Sequence, residues 1–246
     1  GEVSPVSEQN TKDQKTEERS VDGRAVGHQI KKSRFYAVMR SIFARIMLGL
    51  FRVEIVDAEN EPQDSGGFIV CSNHISAADP ILIVASLRNQ VHFVAKAELF
   101  HVPLLGLIIR AFGAYPIKRG AADVGAIKRT VELLRGGENV GYFAQGTRLP
   151  GELPRPETAR PGVGMVQVKT GADVLPVALV NREMKIKPFR RTRLVIGKPI
   201  KGEELEALIA ERERENGAPL GDRDRFKIVT ERVFGEVCAI AERERG

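Results

Sequence analysis

The sequence predicts an α/β fold, a mostly parallel central sheet flanked by helices, with an N-terminal amphipathic membrane-surface helix ahead of it. Two observations carry this. Short apolar runs alternate with helix-length segments from about residue 68 to residue 196, an order that favours parallel strands with helices packed over them. The 246 residues also suffice to bury a sizeable core without disulfides or structural metal.

Taken in order, residues 1–30 mix Glu, Gln, Thr, Lys and Ser with hardly any large apolar side chain. Such a segment cannot offset its ordering entropy by burial, so a disordered tail is expected. It also lacks the apolar stretch of a signal peptide. Over residues 31–53 the pattern turns helical. At ~100° per residue, Phe35, Tyr36, Met39, Ile42, Phe43, Ile46, Met47 and Leu50 gather on one face, with Arg34, Arg45 and Arg52 opposite. Arg40 and Arg45 cut the apolar stretch well below the roughly 20 residues that a bilayer span requires. An interfacial helix fits better, its apolar face in the acyl boundary and its cations on anionic headgroups, each worth about 1 kcal/mol. An ordinary core-packing helix with a solvated basic face has the same periodicity.

The charge favours the lipid reading. Lys31, Lys32, Arg34, Arg40, Arg45 and Arg52 follow one another without an intervening acid and equal the net charge of +6, leaving the rest formally neutral. A nucleic-acid binder would carry a basic stripe with aromatic or groove-reading elements in its folded body, and none is evident.

Residues 54–246 read as one domain. Strands are expected near Phe68–Cys71, Val91–Ala95, Ala114–Ile117, Val140–Ala144, Val174–Leu179 and Arg193–Ile196. Helices are expected at Asp79–Leu87, Pro103–Phe112, Ala121–Leu134 and Val163–Lys169, then at Glu203–Asn216 and Asp222–Arg245. The leucine- and isoleucine-rich Pro103–Phe112 segment suits either a buried helix or a second segment facing lipid. Between Leu149 and Pro161, four prolines make an irregular loop, the kind that often covers a site. Cys71 and Cys238 show no motif spacing and lie in apolar runs, as buried reduced thiols do.

The chemistry concentrates in two places. Asn73-His74 ends an apolar strand, and Asp79-Pro80 opens a helix, with Pro80 suited to the first helical position. Asp79 could be no more than a helix N-cap. If instead its carboxylate accepts from one imidazole nitrogen of His74, the other is free to act as a base. No second and third ligand stand at metal-binding spacing. The second place is Gly146-Thr147-Arg148, which combines close backbone approach, a hydroxyl donor and a fork for phosphate oxygens. Arg119, beside Lys118, offers another such fork after the strand at Ala114–Ile117.

Together, Asn73-His74-x-Ser76-x-x-Asp79-Pro80, Gly113 to Arg119, Gly146-Thr147-Arg148 and Val174-Leu175-Pro176-Val177-Ala178 resemble the four ordered motifs of the glycerolipid acyltransferase family, in particular bacterial 1-acylglycerol-3-phosphate acyltransferases. Arg160-Pro161-Gly162 and the N-terminal helix resemble that family as well. The resemblance implies a peripheral or monotopic enzyme on the cytoplasmic face of the cell membrane, bound to anionic lipids. His74 would deprotonate the sn-2 hydroxyl of lysophosphatidate, which attacks the thioester of acyl carrier protein or acyl-CoA, a co-substrate rather than a bound cofactor. Asp79 would orient His74, while Arg119 and Arg148 bind phosphate. Direct transfer of this kind requires neither metal nor acyl-enzyme. The family usually has Pro-Glu before Gly-Thr-Arg, where this chain has Ala144-Gln145. Glutamine keeps an acceptor of similar shape, loses the charge and gains donors, and is expected to bind the acceptor's glycerol portion. Acylation of glycerol 3-phosphate or another lysophospholipid is the alternative, and a non-catalytic lipid-binding module is a third reading.

Overall fold

The computed structural model describes residues 34–63, 66–103, 105–111, 113–117 and 124–245. The expected tail over residues 1–30, and Lys118 and Arg119, lie outside the described residues. In chain order the elements are α1 (Arg34–Leu50), β1 (Val53–Val56), β2 (Ile69–Ser72), α2 (Asp79–Ser86), β3 (Val91–Lys96), α3 (Leu105–Ala111), β4 (Tyr115–Ile117), α4 (Val124–Arg135), β5 (Asn139–Phe143), α5 (Gly162–Thr170), β6 (Val174–Val180), β7 (Thr192–Ile196), α6 (Gly202–Asn216) and α7 (Asp222–Glu244). The chain divides into two units, Gly1–Val38 and Met39–Gly246. Of the first, residues 34–38, the opening of α1, are described; the second holds the sheet.

The sheet has seven strands in the order β1-β7-β6-β2-β5-β3-β4. Strands β2 to β6 run parallel, whereas β7 is antiparallel to β6 and parallel to β1. The uninterrupted apolar runs explain the centre. Every residue of β2 and β6 is buried, as expected for strands covered on both faces. The strand absent from the sequence reading is β1, which is short, partly exposed and carries Glu54.

Helix α7 buries Val229, Val233 and Val237, spaced four apart, with Phe234 and Ile240 beside them, each such side chain contributing roughly 1.5–3 kcal/mol. Its partner α5 comes so close that a Cβ on Gly164 would stand 2.0 Å from the Phe226 carbonyl oxygen. The Gly164 N–H instead donates to Thr230 Oγ1 at 3.2 Å.

Over residues 41–50 the apolar stripe of α1 divides. Phe43 packs against the core, whereas Ile42 and Ile46 are exposed, as is Arg45 between them. In α3, Ile109 is buried and Ile108 packs against the core, whereas Leu107 is exposed. Among the described residues, no helix is long and apolar enough to cross a membrane.

Candidate active site

Parallel strands β2, β5 and β6 bring three C-terminal ends to one edge of the sheet, where open α/β sheets carry their ligands. Ser72 pairs with Phe143 of β5 and with Val177 of β6. The next residue prolongs the pairing with its side chain. Asn73 Nδ2 donates to the Leu179 carbonyl at 2.9 Å, and Asn73 Oδ1 accepts the Leu179 N–H at 2.9 Å. His74 then leaves the strand at a fixed height.

Asp79 is fully buried and turns back toward the strand. Its Oδ2 lies 2.7 Å from His74 Nδ1 and accepts the N–H of Ile75 at 2.6 Å and of Ser76 at 2.8 Å. A helix cap would accept N–H groups of the turn that follows it; Asp79 takes those that precede it, and the residue at the cap position is Ala78. Burial pushes the Asp79 carboxyl above the ordinary 3.8, while His74 and the two backbone amides pull the other way. With Asp79 ionised, Nδ1 carries the imidazole proton and Nε2 has the free lone pair. The ring is 18% exposed and stacks on Phe143 at 4.0 Å between centroids, with Phe93 behind at 5.0 Å. Glu61, buried beneath the end of α2, accepts the N–H groups of Arg88 and Asn89, anchoring the helix that carries Asp79.

The Ala144 to Leu149 segment holds His74 from the other side. Gln145 Oε1 accepts the His74 N–H at 3.0 Å, and the His74 carbonyl accepts the Leu149 N–H at 2.8 Å. Gln145 is 2% exposed, and its Nε2 donates to Thr158 Oγ1 at 3.2 Å, whose hydroxyl donates to the Arg155 carbonyl at 2.6 Å. Both ends of this amide are therefore spent behind His74, linking it to the proline-rich loop. Gly146 has φ 66°, and a Cβ there would meet Arg160 Cδ at 2.9 Å, so glycine is required twice over. Ile75, Ser76 and Ala77 on one side, with Thr147, Arg148 and Pro150 on the other, line an open cleft of about 530 Å³.

The structure thus brings together His74, Asp79, Gln145, Gly146, Thr147, Arg148 and the stem of Arg160. Sequence reasoning missed Asn73, Phe143, Thr158 and Glu61 as supports. Asn73 was detectable as a polar residue closing an apolar run, whereas Phe143 and Thr158 acquire their roles only through tertiary contact. Among the described residues, no group of three or more His, Cys, Asp and Glu side chains is placed to hold a metal ion.

The sequence model of the Acyltransferase family matches residues 52–180, which include His74, Asp79 and Gly146-Thr147-Arg148. The chain belongs to this family. Its similarity to a 1-acyl-sn-glycerol-3-phosphate acyltransferase of Bacillus subtilis is 32% identity, covering 60% of this chain and 73% of that protein. A chloroplastic 1-acyl-sn-glycerol-3-phosphate acyltransferase of Arabidopsis thaliana is 29% identical over 73% of this chain, and the chain spans 52% of that relative. In three dimensions the chain resembles the 1-acyl-sn-glycerophosphate acyltransferase PlsC from Thermotoga maritima, with TM-score 0.55 and 24% identity, covering 84% of this chain and 83% of that one. This family's α/β fold is the architecture expected from the sequence.

Proposed function

We propose that this acyltransferase-family protein acylates the sn-2 hydroxyl of 1-acylglycerol 3-phosphate, taking the acyl group from the thioester of acyl carrier protein or acyl-CoA and producing phosphatidate. The observation that carries the reading is the 2.7 Å contact of His74 Nδ1 with a buried carboxylate, beside a cleft lined by Thr147 and Arg148. Similarity to relatives named for this reaction supports the acceptor.

His74 Nε2 removes the acceptor's hydroxyl proton as its oxygen attacks the thioester carbonyl carbon. Asp79 stabilises the resulting imidazolium. As the C–S bond breaks, the imidazolium returns the proton to the departing thiolate. Arg148, with Thr147 and the backbone at Gly146, binds the acceptor phosphate; Arg119 and Lys118 complete that clamp in this reading, with Arg160 covering Gly146. Holding hydroxyl and thioester together supplies the proximity term, and a positioned base adds about 10²–10⁴-fold. Gln145 serves by holding His74, since its amide is occupied. Residues 31–53 attach the enzyme to anionic lipid through Arg34, Arg45 and Arg52 and the apolar Phe35, Met39, Ile42 and Ile46. The cytoplasmic face is where thioester donors are available.

The test crosses lysophosphatidate and glycerol 3-phosphate with both thioester donors, using wild type and His74→Ala. Acyl transfer to lysophosphatidate that His74→Ala abolishes, with acceptor binding kept, is the expected result. Equal turnover by the variant, or transfer to glycerol 3-phosphate alone, overturns the proposal.

A further inference from the structure

Residues 181–191, joining β6 to β7, contribute nothing to this chemistry, and no motif marks them. We propose that this loop is a second lipid-docking element, with Phe189 entering the acyl boundary of an anionic membrane and the surrounding cations meeting its headgroups.

Phe189 is 73% exposed and sits at φ 62°, in a turn closed by the Arg190 N–H donating to the Lys187 carbonyl at 3.2 Å. With Pro188 before it, Phe189 occupies the position that turns with positive φ reserve for glycine or asparagine. A bulky aromatic there strains the backbone and exposes apolar surface, so it serves neither folding nor solubility. The loop holding it is anchored at several points. Met184 is buried at 1% exposure, and Asn181 bonds both the N–H and the carbonyl of Lys185, at 3.0 and 2.7 Å.

Its placement names the partner. The Phe189 N–H donates to the Leu50 carbonyl at 2.6 Å, at the end of the α1 row in which Ile42 and Ile46 are 47% and 58% exposed. These isoleucines lie one turn apart on the same side, and the backbone of Phe189 is anchored at the end of that exposed apolar row. Lys187 pairs with Glu183 and Arg191 with Glu54, whereas Arg182, Lys185 and Arg190 are exposed and form no salt bridge among the described residues, Lys185 and Arg190 acting on Glu183 only at longer range. Residues 181–191 carry five cations and one acid, Glu183, and Glu54 of β1 is shared between Arg191 and Arg193, so the loop is strongly positive. An acidic protein would match the charge, but an apolar strip with an aromatic tip matches hydrocarbon beneath anionic headgroups.

The loop follows the end of β6, on the edge that carries His74. A single short segment links the two, because the Gly151 N–H donates to the Met184 carbonyl and the Leu149 N–H to the His74 carbonyl, both at 2.8 Å. Lipid bound at Phe189 would lie beside the cleft. The purpose of docking rests on the proposed lipid acceptor, but its measurement requires no turnover.

Sedimentation of the full chain with vesicles of equal parts phosphatidylcholine and phosphatidylglycerol tests the proposal. Phe189→Gly should weaken binding about tenfold while keeping or raising Tm, since glycine relieves the strained turn. Arg182→Ser/Lys185→Ser/Arg190→Ser should weaken it on the order of a hundredfold at low salt, with the difference vanishing at high salt. Both variants should acylate a dispersed short-chain acceptor at the wild-type rate. Unchanged vesicle binding by either variant overturns the proposal. So does a raised KM for acyl carrier protein thioester without loss of vesicle binding, which would assign the loop to an acidic protein.

Discussion

Asp79→Asn replaces one atom of the site and leaves its outline intact. Oδ2 accepts from His74 Nδ1, Ile75 and Ser76, whereas Oδ1 is buried without a hydrogen-bond partner. The asparagine should settle with its carbonyl oxygen at the Oδ2 position, because the reverse orientation sets an amide donor against three other donors. His74 then keeps its orientation and tautomer. The loss is a negative charge 2.7 Å from the imidazolium that would form in the proposed transfer. At an effective dielectric of about 20 this attraction is on the order of 6 kcal/mol, and the amide dipole returns part of it. A net loss of about 3–5 kcal/mol lowers kcat by about 10²–10⁴-fold. Stability should change little, because relief of a buried charge offsets the cost, about 1–3 kcal/mol, of an amide donor without an acceptor where Oδ1 stood. Single-turnover transfer to saturating lysophosphatidate, with thermal unfolding of the same preparations, measures both. A variant turning over within about threefold of wild type at unchanged Tm would refute the charge argument.

The stability of the same pair should respond to pH. Burial raises the folded-state pKa of Asp79 above the ordinary 3.8, so the folded protein binds more protons between those two values, and stability falls as pH rises through that window. Asp79→Asn should lack that segment of the curve in unfolding titrations; an identical curve would reject Asp79 as its source. Gln145→Leu strips the acceptor from the His74 N–H and the donor from Thr158, so stability should drop by about 1–3 kcal/mol and turnover about tenfold or more. Gln145→Glu keeps the acceptor and should retain most turnover; a Leu variant as active as wild type would remove the positioning role. Arg148→Ala should raise KM for lysophosphatidate about 10–100-fold with a smaller change in kcat, and an unaltered KM would place the phosphate elsewhere. Gly146→Ala combines positive φ with the approach to Arg160 Cδ, and an unaffected Tm and KM would contradict that account.

The sheet was readable because Phe68–Cys71 and β6 are apolar without a break, a pattern that burial on both faces imposes. Strand β1 escaped because four residues containing Glu54, on a half-exposed edge, resemble a linker. The direction of β7 was equally hidden, since pairing sense depends on the connection and leaves no trace in composition. At the site, the ordered motifs marked His74 and Arg148, but the choice between cap and partner for Asp79 required the direction of its carboxylate. Gln145 could be placed only as a change from Glu. That it faces Thr158 follows from how the proline-rich loop folds back. Helical periodicity gathered the apolar residues of α1 on one side without showing that the core takes Phe43 and leaves Ile42 and Ile46 outside.

Asn73, joined to both polar groups of Leu179, governs how this protein should fail. Its side chain extends the β2–β6 ladder to the threshold of His74, and Gln145 and Leu149 grip His74 from the segment after β5. Among the described residues, the contacts that hold His74 thus tie it to the sheet and to the segment after β5. Inactivation and global unfolding should coincide, and a warmed sample should contain fully competent molecules and unfolded ones, with few weakened intermediates.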